Sequence, residues 1–294
     1  MKKILVPLDG SKVAEEVLTH VELLARQSGA HVILMRVVPF LWPSEYVHLK
    51  EMGHKMDKEA SDYLFTIETH LVEKGIEASV SVDEGNVPEV ICDTAKERGV
   101  DLIAISTHGH GGIKGWALGS VTAKVIQASS IPLLVHRSTG EEMEEVQCKN
   151  MLIPIDGSHF AESIFPQARR VAELFNAKVW FLSVVTFPGG FSSLDEEVHE
   201  IEDKVAESIK HYCATLENRL REQQTTIDYE VVIRKGETAE TICDFANENS
   251  IDLIAMSTHG RSGISRWALG SVTDKVLHCS PKPILLVRAQ EDKD

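Results

Sequence analysis

Asp101-Leu102-Ile103-Ala104-Ile105-Ser106-Thr107-His108-Gly109 runs from an apolar stretch into a polar turn and a glycine, and it recurs as Asp252-Leu253-Ile254-Ala255-Met256-Ser257-Thr258-His259-Gly260. Leu102–Ser106 shows no apolar–polar alternation, which is the pattern of a strand covered on both faces. Further along, Trp116-Ala117-Leu118-Gly119-Ser120-Val121-Thr122 returns unchanged at Trp267–Thr273. Earlier, Lys3-Ile4-Leu5-Val6-Pro7-Leu8-Asp9-Gly10-Ser11 returns as Asn150-Met151-Leu152-Ile153-Pro154-Ile155-Asp156-Gly157-Ser158. The offset is 147 from Asp9 to Asp156 and 151 from Gly109 to Gly260. The four-residue difference is expected in the variable stretch after the second strand. A period near 150 is too long for a solenoid, so the chain is a domain duplication. We expect a first domain over 1–138, an acidic linker over 139–149 containing Glu141-Glu142-Met143-Glu144-Glu145, and a second domain over 150–294.

Each copy alternates strand and helix. In the first copy, strands are predicted over Ile4–Leu8, His31–Val38, Ala78–Val82, Leu102–Ser106 and Pro132–His136. Helices are predicted over Val13–Gln27, Leu49–Lys74, Val87–Arg98 and Val121–Ala128, from apolar spacing at three and four residues and from Gly29 as a stop. The second copy follows suit, with strands near Met151–Ile155, Val179–Val185, Tyr229–Ile233, Leu253–Ser257 and Pro283–Val287. Alternation of this kind implies right-handed crossovers and a parallel sheet. The fold class is α/β: two tandem, doubly wound, Rossmann-like domains of five parallel strands each. In such sheets a ligand lies beyond the carboxyl ends of the strands, where the strand order switches. The Asp9 turn and the Gly109 loop both follow strands and so share that edge.

Bulk properties narrow the partners. The formal net charge is −15. An acidic chain repels phosphate backbones, which argues against nucleic acid and against anionic membranes. No apolar run approaches the roughly 18 residues of a membrane span, and the short apolar start meets Asp9 too soon for a signal peptide. Cys92, Cys148, Cys213, Cys243 and Cys279 are scattered and form no CxxC pair. They are expected to be reduced thiols of a cytoplasmic protein with no metal site.

The chemistry concentrates in the loop after the fourth strand. Ser106-Thr107-His108-Gly109 leaves the strand, Gly111, Gly112 and Gly115 follow, and Gly119-Ser120-Val121-Thr122 opens a helix. Glycines let the backbone approach an anion closely, a serine at the helix start can cap or donate to phosphate oxygens, and the helix start supplies free N–H groups and the positive end of a dipole. This is a phosphate cradle that requires no lysine.

With these residues in view, the chain resembles the universal stress protein family in its tandem form, over essentially all of both halves. Nucleotide-binding members carry G-2x-G-9x-G-[S/T] after the fourth strand. Here Gly109 is followed after nine residues by Gly119-Ser120, and Gly260 after nine by Gly270-Ser271. Ser106 and Ser257 stand where the motif has its first glycine; serine keeps the N–H but adds a Cβ at the ligand's path. The resemblance implies that Asp9 and Asp156, in the turns Pro7-Leu8-Asp9 and Pro154-Ile155-Asp156, lie near adenine or ribose. It also implies that Val37 and Val184 on the second strands meet the adenine. The phosphate end would be formed by Ser106, Gly109, His110, Gly119, Ser120, Val121 and Thr122 in the first domain, and by Ser257, Gly260, Arg261, Gly270, Ser271, Val272 and Thr273 in the second. The expected ligand is ATP or another adenine nucleotide, with Mg²⁺ accompanying the phosphates and keeping much of its water.

The resemblance further implies that the last strands, Pro132–His136 and Pro283–Val287, pair within the chain, and that two-domain chains form a homodimer. The second pocket is expected to bind more tightly, because its loop carries Arg261 and Arg266 where the first carries His110 and Lys114. The expected function is an adenine-nucleotide-binding stress-response protein acting as sensor or regulator. A slow Mg²⁺-dependent ATPase is an alternative, though no arginine finger or dedicated base stands in the motif. A protein-interaction scaffold with a degenerate pocket is another, and adenylate transfer has only fold analogy behind it. His108 and His259 have no carboxylate partner in sequence and are read as structural. His48, His54 and His70 are not spaced as metal ligands on one helix face. Trp42, Trp116, Trp180 and Trp267 are read as packing.

Overall fold

A computed structural model describes residues 1–38, 47–107, 118–138, 146–186, 196–222, 226–258 and 269–289. The chain divides into two compact units, Met1–Gln147 and Cys148–Asp294.

In the first unit the elements are β1 (Lys3–Pro7), α1 (Lys12–Glu15), α2 (Leu18–Ser28), β2 (His31–Val38), α3 (Val47–Glu73), β3 (Ala78–Glu84), α4 (Val87–Glu97), β4 (Leu102–Ser106), α5 (Ser120–Ala128) and β5 (Leu133–His136). The strands lie in the order β3-β2-β1-β4-β5, every neighbouring pair parallel. The second unit repeats this with β6 (Asn150–Ile155), α6 (His159–Glu162), α7 (Phe165–Phe175), β7 (Lys178–Val185), α8 (Glu196–Glu222), β8 (Tyr229–Lys235), α9 (Thr238–Glu248), β9 (Leu253–Ser257), α10 (Ser271–Cys279) and β10 (Ile284–Val287). Its order is β8-β7-β6-β9-β10, again all parallel. This is the expected doubly wound α/β fold. The order switches between β1 and β4 and between β6 and β9, so the loops after those strands flank the crevice.

The central strands are buried on both faces: Ile4, Leu5 and Val6 in β1, all of β4, and all of β9. Register is fixed in the same way twice. Asp101 accepts the backbone N–H groups of Lys2 and Lys3 through one carboxylate oxygen, at 2.6 and 3.0 Å. Asp252 does the same for Lys149 and Asn150, at 2.7 and 2.9 Å. The aspartate that opens each repeated fourth-strand block is thus a pin that holds the first strand beside the fourth.

Three expectations shift in detail. The helix predicted over Val13–Gln27 is two pieces, α1 and α2, with Glu16 and Val17 in a turn between them. In the second unit the same break precedes Pro166, whose missing N–H suits the first turn of a new helix. The length difference between copies is split: Val47 pairs with Glu196 at the start of the long helices and Ala78 with Tyr229 at the next strand, so two residues are gained before the helix and two after it. The third correction concerns the thiols. Cys243 and Cys279 form a disulfide, with Cα atoms 6.5 Å apart, while Cys92, Cys148 and Cys213 are free. No pattern of spacing announces the pair, because 36 residues separate the two cysteines and the packing of α9 on α10 joins them. Cys148, assigned in sequence to the linker, is buried in the second unit; 139–145 lie outside the described residues.

The first unit holds a buried histidine pair. His20 Nε2 lies 3.2 Å from His136 Nδ1, and His136 Nε2 lies 3.2 Å from Glu16 Oε2, whose other oxygen accepts the Ser138 hydroxyl at 2.7 Å. Burial pushes His20 down to about 3, and nearby His136 adds to the shift. Burial also lowers His136, against the pull of Glu16. Both shifts favour the neutral ring in the folded chain, whereas in the unfolded chain the rings take protons below about 6.5. Stability is then complete above that value and falls as the pH drops toward 3. For His20 alone the loss at pH 5 is on the order of 2 kcal/mol, a few degrees of Tm. His20→Gln installs the second unit's equivalent, Gln167. Its Tm is expected to decline less between pH 7.5 and 5 than that of the parent, and equally steep declines would exclude His20 as the source.

Candidate functional site

In each unit the first strand ends in Asp-Gly-Ser. Asp9 Oδ1 accepts both the N–H and the hydroxyl of Ser11, at 2.9 and 2.6 Å. Ser11 Oγ in turn accepts the N–H of Ala14 at 3.1 Å and so caps α1. Asp156, Ser158 and Ala161 repeat these bonds at 2.9, 2.6 and 3.1 Å. The intervening Gly10 and Gly157 take φ of +87° and +81°, a conformation that glycine adopts without strain. The aspartates are thus held by one oxygen at the carboxyl end of β1 and β6.

The loop after the fourth strand is pinned at its ends. Gly119 donates its N–H to the Thr107 carbonyl at 2.7 Å, and Gly270 does so to Thr258 at 2.8 Å. One turn into the helix, the Thr122 hydroxyl donates to the Ser106 carbonyl at 2.8 Å, and Thr273 to Ser257 at 2.9 Å. Thr122 and Thr273 are buried by this. These two bonds fix the start of α5 and α10 against the strand end whatever the intervening loop does. Gly109, His110, Gly260 and Arg261, with His108, His259, Trp116, Trp267 and Arg266, lie outside the described residues.

The helix starts differ in a way that matters. α1 and α6 are capped by Ser11 and Ser158, and α9 by Glu237, which accepts the N–H groups of Ala239 and Glu240. α5 and α10 begin on Gly119 and Gly270, which offer no side chain. The first intrahelical bonds are Ala123 N–H to Gly119 and Asp274 N–H to Gly270. The N–H groups of Ser120, Val121 and Thr122, and of Ser271, Val272 and Thr273, are therefore left without an acceptor among the described residues.

In the second unit the two features meet around a cavity of about 330 Å³. All nine expected residues of this unit that are described line it: Pro154, Ile155, Asp156, Val184, Ser257, Gly270, Ser271, Val272 and Thr273. Sequence reasoning did not find Ala161, Leu182, Thr186, Val205, Ile209, Thr238, Ile242 and Met256, which complete the lining. Two pairs of these had a legible signal, since Val205/Ile209 and Thr238/Ile242 are each four apart on one helix face. Thr186 and Thr238 are joined hydroxyl to hydroxyl at 2.7 Å. The aliphatic part of the wall comes from β7, α8, α9 and β9; the polar part comes from Asp156, Ser257 and the α10 start. The described lining holds one carboxylate, Asp156, and no cation.

In the first unit Pro7, Leu8, Asp9, Val37, Ser106, Gly119, Ser120, Val121 and Thr122 occupy the corresponding places in the fold. Leu8 is buried and donates its N–H to Met35 at 2.8 Å, and Val37 is half-buried on β2 opposite Asp83. Ser106, the departure from the glycine motif, is buried and turns its hydroxyl toward the Ala14 carbonyl at 3.4 Å. No group of three or more His, Cys, Asp or Glu side chains placed to hold a metal occurs among the described residues. No described helix is long and apolar enough to cross a membrane. Trp180 packs as expected, edge to face with Phe245 at 5.6 Å and beneath the Lys178 ammonium at 3.9 Å.

Comparison with known proteins agrees with this architecture. The family model described as "Universal stress protein family" matches twice, at residues 1–137 and 147–288. A Staphylococcus aureus (strain USA300) protein ascribed to that family is 32% identical over 148 residues, which are 49% of this chain and 86% of the relative. Among solved structures, a universal stress protein from Archaeoglobus fulgidus DSM 4304 superposes with a TM-score of 0.73 at 18% identity, covering 97% of this chain and 98% of its own. A Pseudomonas aeruginosa UCBPP-PA14 chain ascribed to the family gives 0.69 at 17% identity, covering 98% and 94%. The chain belongs to the universal stress protein family, as a tandem of two such domains.

Proposed function

We propose that each domain binds an adenine nucleotide at the carboxyl edge of its sheet, and that the protein works as a nucleotide-dependent sensor or regulator in the cytoplasmic stress response. The observation that carries the reading is the second domain's cavity, where an aliphatic wall and an aspartate face an uncapped helix start. Its volume falls at the lower end of the range for small-molecule sites. The base would rest against Val184 and the aliphatic wall, with Asp156 at the ribose. The phosphates would take the free N–H groups of Ser271, Val272 and Thr273 and the Ser271 hydroxyl. Mg²⁺ would ride on the phosphates, since the described lining gives it one carboxylate at most. The described lining carries one carboxylate and the loop motif no dedicated base, which suits binding better than phosphoryl transfer, a reaction that needs an oriented nucleophile as well as charge stabilisation. Output then comes from unequal affinity for two states of the protein or its partners. Pairing of the last strands and a homodimer of chains complete the proposal, with light scattering as their test.

Mass spectrometry of small molecules released on denaturation tests the reading directly: adenine nucleotide at one or two per chain is expected. An empty protein that also fails to bind ATP by titration would leave the scaffold reading in its place. The two domains are separable by Asp9→Ala and Asp156→Ala, each removing the ribose-side carboxylate of one site. With Arg261 and Arg266 in its loop, the second domain is expected to be the tighter. Asp156→Ala should therefore abolish the high-affinity phase and Asp9→Ala the weaker one; equal or reversed effects contradict that order.

A further inference from the structure

The second domain has another cavity, of about 730 Å³, on the face of its sheet between α7 and α8 and away from the Ser271 helix start. Its floor is aromatic. Phe165 meets Phe181 edge to face at 5.5 Å, and Phe181 meets Tyr229 in the same way at 6.4 Å. The first domain has Leu18, Leu34 and Ala78 at these three places, and Glu22 and Leu23 where the second has Arg169 and Arg170. The exchange changes how the helices close over the sheet. In the first domain Glu22 on α2 is tied to Lys74 at the end of α3 by two bonds, at 2.8 and 2.6 Å. In the second, Arg169 turns along its own helix to Glu173, Nε to Oε1 at 2.7 Å, and makes no such link to α8 among the described residues.

The charges at the mouth are unequally spent. Glu162 accepts two N–H groups of Arg219, at 3.0 and 2.6 Å, and the Tyr212 hydroxyl at 2.8 Å. Glu173 is held by Arg169. Arg170 is exposed and makes no hydrogen bond or ion pair among the described residues. An apolar aromatic floor beneath an uncompensated guanidinium, in a chain of net charge −15, selects for a molecule with a flat apolar body and one negative group. We propose that this cavity is a second ligand site, for an amphipathic organic anion such as an aromatic carboxylate or sulfonate, bound independently of the nucleotide cavity.

The probe is 8-anilinonaphthalene-1-sulfonate, titrated by fluorescence into the full chain. One site per chain is expected. Arg170→Leu and Tyr229→Ala each install the first domain's residue at the equivalent place, so the fold has a precedent for both. Each is expected to weaken the probe about tenfold, the scale of one charge-assisted bond or one aromatic contact face, with the Tm essentially unchanged for Arg170→Leu. Excess ATP is expected to leave the probe in place. The proposal is overturned by absence of binding, by binding that neither variant weakens, or by displacement with ATP. The two variants decide the site whether or not the nucleotide reading stands.

Discussion

Ser271→Asp is expected to remove ATP binding from the second domain, weakening it by at least about a hundredfold. Ser271 is exposed at the first position of α10 and lines the cavity beside the free N–H groups of the first turn. A carboxylate there would sit in the first turn at the positive end of the helix dipole, so the helix gains rather than loses. The same charge would face the phosphates at close range. At an effective dielectric near 20, one unit pair at 4 Å repels by roughly 4 kcal/mol, and even half of that with screening, applied to more than one phosphate charge, exceeds a hundredfold. Ser271→Ala removes only one hydroxyl bond and is expected to cost about tenfold or less. Calorimetric titration with ATP, in a chain whose first site carries Asp9→Ala, reads the second site alone. Affinity for the Asp variant within threefold of the parent, at an undiminished Tm, would mean that the phosphates do not lie at α10.

The helix start and the turn were legible in the sequence because both depend on backbone chemistry that few residues supply. Gly10 and Gly157 are at positive φ, as the residue type announces; Ser120, read as able to cap its helix, lies one position inside it, and in both domains the cap falls on a glycine, Gly119 or Gly270, which has no side chain to cap with. Parallel pairing followed from the alternation of elements, and the central place of β4 and β9 from their unbroken apolar runs; the order β3-β2-β1-β4-β5 itself was not legible and comes from the packing. What stayed hidden was set by tertiary packing. Ala161, Leu182 and Met256 reach the cavity only because particular faces of α6, β7 and β9 converge there, and ordinary apolar residues carry no sign of which face that is. Thr122 and Thr273 were singled out for phosphate, yet their hydroxyls are committed to the Ser106 and Ser257 carbonyls, which leaves only their N–H groups for the proposed ligand. Asp101 and Asp252 were quoted as the start of a repeat; their work as strand pins appears only once Lys2, Lys3, Lys149 and Asn150 lie beside them. The open face between α7 and α8 arises from an arginine choosing an intrahelical partner, a choice composition does not record.

Cys279→Ala is expected to lower the stability of the second domain by about 4 kcal/mol in non-reducing buffer, and dithiothreitol is expected to do the same to the parent. The Cys243–Cys279 bridge closes a loop of 36 residues, and chain-entropy reasoning assigns a loop of that size about 4 kcal/mol, which for a domain of this length is about 10 °C in Tm. Alanine is what the first domain carries at the equivalent position, Ala128, opposite the unbridged Cys92, so the substitution itself leaves a packing already used in this chain. The bridge is also placed to reach the proposed nucleotide site. Cys279 ends α10, whose first turn carries the free N–H groups, and Cys243 follows Ile242 of the cavity wall on α9. Losing it frees α10 to shift against α9, so ATP affinity of the second domain should fall with the Tm while that of the first stays constant. In a reducing cytoplasm such a bridge would be transient and responsive to oxidants rather than permanent. Thiol counting under denaturing, non-reducing conditions should give three free groups in the oxidised parent and five after reduction. A dithiothreitol effect of equal size in Cys279→Ala would place the sensitivity elsewhere, and five free thiols in protein treated with hydrogen peroxide would mean that the bridge does not form.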